Sequence, residues 1–521
     1  MLGLDIERLS ILGGFLVEQS KALFVAVLAS SLFFFSPVSF AATQGEEAKR
    51  LDRIEQENRE LRKDIEALKA ISVRHRKHNS DFGSSGQAIS GDQAHEAAGP
   101  SRSERIAHGD RLPNLNSEFS YQMLDPTTSG KSKPLTLLRA KQDGSIGADG
   151  VYLGGALTAL ADYQLADHSG QFGYMMRQPE NQIGRTASEA VLHSAQFSVT
   201  ANIETWISAY AEALWDPEQS FGAGTITSLN RNELQLRRGY VLLGDLDEFP
   251  VYLMLGKIDS PFGQTDTVNP FSLATDWHTF SGLSYGALLG YSSNGLNVTF
   301  EAVQGGAEFR GLNTPVGGTN VPSSLNNYVI DANYTLSLGG EDRTFLVGAS
   351  YEAGSSYCQS FPVAHFDSCA VSNPAYAVYS ALSWGAFRLK GEYAETVNVW
   401  PGTFNPNPPL NVFPASKVSS FDLGGKYITS VLGRELDLSV DYSALIAGPA
   451  GSPWEQQSQA VFGAGYFIRP NVKLFSEVVL VHGYEPLMFI SGGIPGDPPG
   501  QTDSNAHSNS QILLMGINLA L

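Results

Sequence analysis

The chain has few of the features that mark a nucleic-acid-binding protein or a helical membrane protein. It contains only two cysteines in 521 residues, and its 34 basic residues are outnumbered by 53 acidic ones. The net charge of −19 argues against nucleic-acid binding through a basic surface. From residue 150 onward, no long amphipathic helix is recognisable, and no apolar run is long enough to span a bilayer as a helix. A different architecture has to account for the larger part of the sequence.

What the chain has, from residue 150 to its end, is a succession of segments about ten residues long with apolar side chains at alternate positions. In the segment 328–338, for example, polar and apolar residues alternate almost throughout. Period two predicts β-strands, because successive side chains of a strand point to opposite faces. We count sixteen such segments, from 151–163 to 508–521.

The connections between these segments alternate between short and long. Short turns are predicted at 200–203, 244–249, 292–295, 339–342, 384–386, 430–433 and 469–471, and long links at 164–188, 215–232, 259–283, 305–325, 354–373, 396–417, 447–456 and 483–507. This asymmetry is typical of outer-membrane barrels, which have tight periplasmic turns and long external loops. The sequence therefore predicts an all-β fold, a transmembrane antiparallel β-barrel of about sixteen strands over residues 150–521. A soluble β-sandwich is the alternative, but it gives no reason for alternating loop lengths.

The N-terminal part of the chain is predicted to serve export and association. Residues 1–41 resemble a signal peptide, because Lys21 precedes the fourteen-residue apolar run 22–35 and small residues occupy the cleavage positions before residue 42. Residues 42–72 are predicted to form a short periplasmic coiled-coil helix. Its a positions are Leu51, Asn58 and Ile65, and its d positions are Ile54, Leu61 and Leu68.

The charges that flank this heptad register within 46–71 are attractive between identical parallel helices, which favours a homo-oligomer. A single charged helix is the alternative. Residues 73–113 are predicted to be a polar linker, and 114–149 a pre-barrel segment with one strand-like piece, Leu135–Ala140. Nothing in 42–149 predicts a plug of the kind found in TonB-dependent transporters.

A sixteen-stranded barrel encloses an aqueous lumen, so we expect a pore and not an enzyme. The candidate ligand-binding residues are basic lumen positions and polar residues near the link 259–283, namely Lys257, Arg237, Asp266, Asp276, Trp277, His278, Arg388, Lys390, Lys426 and Lys473. We expect this link to fold inward and to form the narrowest part of the lumen, with Lys257 and Arg237 meeting ligand carboxylates. Asp276 and His278 have no third ligand or nucleophile at a recognisable spacing, so no metal, cofactor or catalytic site is predicted.

The two cysteines, Cys358 and Cys369, fall in one predicted external loop. An exported protein meets oxidising conditions, so a disulfide between them is expected, with a stabilising effect of roughly 3 kcal/mol in the chain-entropy model. Redox catalysis is not indicated, because the chain has no C-x-x-C motif.

An export signal, a short heptad segment with Asn58, a polar linker and a sixteen-stranded barrel together resemble the LbtU-type siderophore porins. The resemblance covers nearly the whole chain and implies uptake of a carboxylate-bearing ferric siderophore across the Gram-negative outer membrane, with the N-terminal segment in the periplasm. The expected partners are this siderophore, outer-membrane lipid and lipopolysaccharide. Two alternatives remain at this point: a general or differently selective diffusion porin, and a structural anchor whose coiled coil binds a partner.

Overall fold

A computed structural model describes the part of the chain that carries the predicted barrel. It covers residues 114–128, 130–168, 184–215, 234–304, 324–340, 342–354, 372–406, 408–483 and 506–521. The predicted signal peptide, coiled coil and linker, and the predicted Cys358–Cys369 disulfide, lie outside the described residues. None of the helices in the described ranges combines the length and the apolar character needed to cross a bilayer.

Sixteen antiparallel strands close into a barrel, as the sequence predicts. They are β2 (Gly150–Ala166), β3 (Thr186–Ile203), β4 (Ile207–Trp215), β5 (Leu234–Leu243), β6 (Val251–Asp259), β7 (Leu283–Ser293), β8 (Leu296–Gln304), β9 (Leu325–Ser337), β10 (Arg343–Glu352), β11 (Ala375–Trp384), β12 (Phe387–Thr396), β13 (Ser419–Val431), β14 (Arg434–Ile446), β15 (Gln456–Arg469), β16 (Val472–Gly483) and β17 (Asn509–Ala520). A two-residue strand, β1 (Asn114–Leu115), pairs parallel with the start of β2. Each barrel strand pairs with its neighbours in sequence, and β17 pairs with β2 to close the barrel.

The connections confirm the predicted alternation of short and long. Short turns lie at 204–206, 244–250, 294–295, 338–342, 385–386, 432–433 and 470–471, and the other strand pairs are joined by links of 9 residues (447–455) or more. By the rule for outer-membrane barrels, the rim with the short turns is the periplasmic rim. The first turn was predicted at 200–203, but β3 continues to Ile203 because Asn202 is an inward-facing strand residue paired with Ser208.

The two faces of the barrel wall differ in polarity. On β14, Val440 and Tyr442 are 55% and 45% exposed on the outer face, whereas Ser439, Asp441 and Ser443 between and beside them are buried inside. An exposed apolar belt of this kind is unfavourable in water and is stabilised by contact with lipid. The protein is therefore an outer-membrane β-barrel with a polar interior, the class of barrel found in the Gram-negative outer membrane.

The pre-barrel segment 114–149, here called the plug, contains two helices. Helix α1 (Ser117–Leu124) is capped by Asn116, whose side chain accepts a hydrogen bond from the Phe119 N–H at 3.0 Å. Helix α2 (Lys133–Gln142) begins with proline in its first turn, where a missing N–H costs nothing. The strand prediction for Leu135–Ala140 was wrong, because its buried residues fit helical spacing as well and the proline fixes a helix start.

The plug occupies the lumen at the periplasmic end. Met123 of α1 and Leu137 of α2 are fully buried in a cluster with inward-facing barrel residues such as Tyr240 and Met254. Leu246, in one of the short periplasmic turns, packs against the same cluster. The open lumen expected from the sequence is thus corrected: a short helical segment of the chain itself fills part of it.

Candidate functional site

The link between β6 and β7, residues 260–282 and here called the lumen loop, crosses the interior of the barrel. Near its start, the Gln264 N–H donates to the Glu392 carboxylate on β12 at 3.0 Å. Further along, the Phe271 N–H donates to the Glu477 carboxylate on β16 at 2.7 Å. The loop therefore reaches from one wall to strands far around the barrel, which confirms the prediction that this link folds inward.

Aromatic packing fixes the path of the lumen loop in addition to these hydrogen bonds. Phe271 stacks on Phe475 of β16 with ring centroids 5.1 Å apart and the ring planes nearly parallel, at 2°. The adjacent Pro270 lies against Gly463 of β15 so closely that a Cβ atom on that glycine would come within 2.5 Å of the proline ring. A short helix, α3 (Thr275–Phe280), completes the loop with its side chains mostly buried. Because both hydrogen bonding and packing hold it, the loop is part of the rigid wall of the lumen.

Three of the predicted candidates, Lys390, Asp276 and Asp266, are brought together under the lumen loop. The Lys390 ammonium lies 2.6 Å from the Asp422 carboxylate and 3.7 Å from that of Asp276, and it donates to the backbone carbonyl of Asp266. Lys390 and Asp276 are both buried. This ammonium is therefore engaged in holding the loop on the wall, and we assign it no contact with a passing solute.

Arg237 faces the lumen, as predicted, together with a residue that the sequence analysis missed. A β-bulge between β4 and β5 sets Arg237 out of register, so Arg238 also points inward. The Arg238 guanidinium contacts the Glu212 carboxylate at 2.9 Å and the Asp259 carboxylate at 2.8 Å, and Arg237 lies 3.8 Å from Glu212. Strict alternation allows only one of the two arginines inside, and only the bulge, which the sequence does not reveal, places both there.

The plug contributes a further basic group to this part of the lumen. Lys133 is buried, and its ammonium donates to the carbonyls of Met123 and Asp125. Burial, followed by repulsion from Arg238, lowers the pKa of Lys133 to about 7. The two hydrogen bonds to Met123 and Asp125 tie helix α2 to the end of α1.

Lys257 is a correction to the sequence analysis. It pairs across the sheet with Gly239 and Tyr285, and Tyr285 belongs to the outward-facing row of β7. The Lys257 ammonium donates to the Leu236 carbonyl at 3.0 Å and lies 5.9 Å from the centre of the Tyr285 ring. The register places this lysine on the outer side of the wall, so the prediction that it meets a ligand in the lumen was wrong.

The remaining candidates are dispersed. Trp277 and His278 lie side by side in α3, with ring centroids 5.0 Å apart, and the Lys426 ammonium lies 3.7 Å from the Asp437 carboxylate. The Lys473 ammonium sits 6.0 Å from the centre of the Tyr121 ring of the plug, and Arg388 donates to backbone carbonyls of its own turn. These residues are distributed along the wall and do not form one site.

The plug and the lumen loop together leave a cavity of about 420 Å³ against strands β6 to β11. The two inserted segments touch where the Thr267 N–H donates to the Thr127 carbonyl at 3.2 Å. The cavity extends from Gln264 of the loop to Ser337 at the periplasmic rim. Its lining includes the carboxylates Asp266 and Asp331 and apolar side chains such as Leu288 and Leu346. It also carries hydroxyl and amide side chains, namely Ser292, Asn297, Thr299, Asn333, Thr335, Ser337 and Thr344.

Two cations of the plug, Lys131 and Arg139, face this wall. Lys131 lies 3.4 Å from the Asp331 carboxylate and 3.1 Å from the Tyr379 hydroxyl, which itself donates to Asp331 at 2.6 Å. Ser350 also donates to Asp331, at 2.6 Å. The charge of Lys131 is thus partly balanced by Asp331, whereas Arg139 makes no ion pair within the described residues.

Comparison with known proteins finds solved porin structures that have low similarity to this chain. No family model and no curated protein matches the chain. An anion-selective porin from Comamonas acidovorans is 10% identical, with a TM-score of 0.46, over 71% of this chain and 99% of that one. Salmonella typhi OmpF in complex with daunomycin is 13% identical, with a TM-score of 0.43, over 72% of this chain and 98% of that one. Pseudomonas aeruginosa OpdL is 14% identical, with a TM-score of 0.38, over 71% and 98%. Likeness at this level carries no argument about what the barrel transports.

Proposed function

We propose that the protein is a diffusion channel of the Gram-negative outer membrane that favours small polar solutes bearing carboxylate groups. The observation that carries the proposal is the cavity between plug, lumen loop and wall, because hydroxyl and amide side chains there face the two cations Lys131 and Arg139. Thr299 Oγ1 and Asn297 Oδ1, which belong to lining residues, have no hydrogen-bond partner within the described residues. Asn297 Oδ1 can accept a hydrogen bond from a solute hydroxyl, and the Thr299 hydroxyl can donate one to a solute carboxylate.

The size of the cavity fits a small solute better than a large one. A volume of about 420 Å³ lies in the lower part of the range for small-molecule sites, about 300–1,000 Å³. A hydroxy-carboxylate fits that space with the plug in place. The ferric siderophore of the carboxylate type, which the family resemblance implies, is the larger solute that we propose, and its passage requires the plug to shift.

Conductance of the purified full chain in planar bilayers tests the proposal. We expect ion conductance that is reduced by millimolar citrate and by a ferric carboxylate siderophore. A ferric hydroxamate siderophore without free carboxylates is the matched control and should reduce the current little. Equal reduction by both siderophores would contradict the carboxylate preference, and a folded barrel that does not conduct would favour the structural anchor instead.

A further inference from the structure

A second cavity, of about 240 Å³, lies between the two helices of the plug. Its lining comes from Glu118 and Gln122 of α1, Thr136 and Arg139 of α2, and Asp143 after α2. Arg139 is the one residue that lines both this cavity and the larger one against the barrel wall. Because the plug sits at the periplasmic end, the smaller cavity lies on the periplasmic side of the path.

Arg139 differs from the other basic residues of the plug in having an exposed side chain. Lys131 pairs with Asp331, Lys133 is buried, and the Lys141 ammonium donates to Ser208 at 3.2 Å. Arg139 is exposed and makes no ion pair or side-chain hydrogen bond within the described residues. Its guanidinium offers a planar set of donors that matches a carboxylate in two-point fashion.

The surroundings of Arg139 differ on its two sides. The larger cavity presents hydroxyl and amide groups together with Asp266 and with Asp331, which pairs with Lys131, whereas the smaller one presents the carboxylates Glu118 and Asp143. Hydrogen bonds from Ser145 keep the pKa of Asp143 below its usual range, so this group is ionised at neutral pH. These two carboxylates repel an anion held at Arg139, so they weaken its binding there and shorten its stay.

We infer that Arg139 is the charge-selecting exit of the channel, the point at which an anionic solute passes from the larger cavity through the plug to the periplasm. The inference rests on the proposed channel function and adds to it that a helix of the plug, and not the barrel wall, sets the preference for carboxylates. The lumen cations on the wall, such as Lys390 and Arg238, are already engaged by carboxylates.

The test compares Arg139→Gln with Arg434→Gln in the full-length protein. Arg434 is an exposed arginine at the same rim that lines neither cavity, so it controls for the loss of one positive charge. In a salt gradient across a planar bilayer, we expect Arg139→Gln to lower the anion-to-cation permeability ratio severalfold and to weaken block by citrate about tenfold. Arg434→Gln should leave both quantities near their wild-type values.

Arg139→Lys separates charge from shape and also guards against misfolding of the glutamine variant. It should keep the permeability ratio but bind citrate less tightly, because an ammonium cannot make the two-point contact. A folded, conducting Arg139→Gln channel with unchanged selectivity overturns the inference and leaves the channel function standing. Absence of conductance in the wild-type protein instead overturns the proposed function itself.

Discussion

At the scale of single residues, alternation predicts which side chains face the lumen wherever the strand is regular. Asp331 and Lys390 lie inside, as their strand positions indicate. The prediction is wrong where the backbone departs from strict period two or where the assumed phase is wrong. Arg238 enters the lumen through a bulge, and Lys257 lies outside because its pairing with Tyr285 sets the phase of β6. Neither the bulge nor the pairing register is visible in the amino-acid sequence.

Some inward-facing positions require glycine because a large side chain packs against them. This gives a prediction at the scale of single residues. A Cβ atom on Gly348 would lie 2.3 Å from the Tyr379 ring, whereas one on the lipid-facing Gly155 would have its nearest neighbour at 3.8 Å. We expect Gly348→Ala to destabilise the barrel by about 1–3 kcal/mol, since Tyr379 has to move away from Asp331. Gly155→Ala should change the stability by less than about 0.5 kcal/mol. Urea unfolding of the refolded barrel measures both, and equal effects would contradict the packing argument.

At the scale of elements, the lumen loop could be predicted and the plug could not. The inward fold of the link 259–283 is predicted from three features together: the link starts at a strand end, it is long, and it carries polar and aromatic residues such as Asp276 and Trp277. The plug helices depend on tertiary contacts, because Met123 and Leu137 gain a buried environment only against barrel residues such as Tyr240. The carboxylates that hold the lumen loop, Glu392 and Glu477, are recognisable in the sequence only as lumen acids. Their role as acceptors for loop N–H groups requires the folded structure.

The anchoring of the lumen loop gives the prediction for this scale. Glu477 accepts the N–H groups of Phe271 and Ser272 at 2.7 and 3.0 Å, and a glutamine there loses the charge that strengthens both bonds. We expect Glu477→Gln to raise single-channel conductance and open-channel noise, because the loop then moves away from the wall more often.

Glu455→Gln is the matched control for this prediction. Glu455 accepts the Gly451 N–H at 2.7 Å, so it also holds a loop through a backbone donor, but in the external link 447–455. Its substitution should leave the conductance unchanged. If Glu477→Gln and a deletion of 264–279 both leave single-channel currents as in the wild type, the lumen loop is not the constriction.

At the scale of the whole molecule, the number of strands and the places of the connections follow from the sequence because they average over many residues. One misread position does not alter a period-two pattern sustained over ten residues. The division of the lumen into a filled and an open part is a different matter, because it depends on where two irregular segments come to rest. The cavity against β6 to β11 is the space that remains after the plug and the lumen loop have packed. No local sequence pattern predicts it.

The orientation of the barrel in the membrane gives the last prediction. Leu432 lies in a short turn between β13 and β14 and is 92% exposed, and Ala450 is an exposed residue of the link 447–455 at the opposite rim. In a background with both native cysteines replaced by serine, a membrane-impermeant maleimide should label Ala450→Cys in intact cells. It should label Leu432→Cys only after the outer membrane has been permeabilised, because short turns of outer-membrane barrels face the periplasm. Labelling of Leu432→Cys in intact cells would reverse the orientation and place the plug at the cell surface, with Arg139 at the entry of the path instead of its exit.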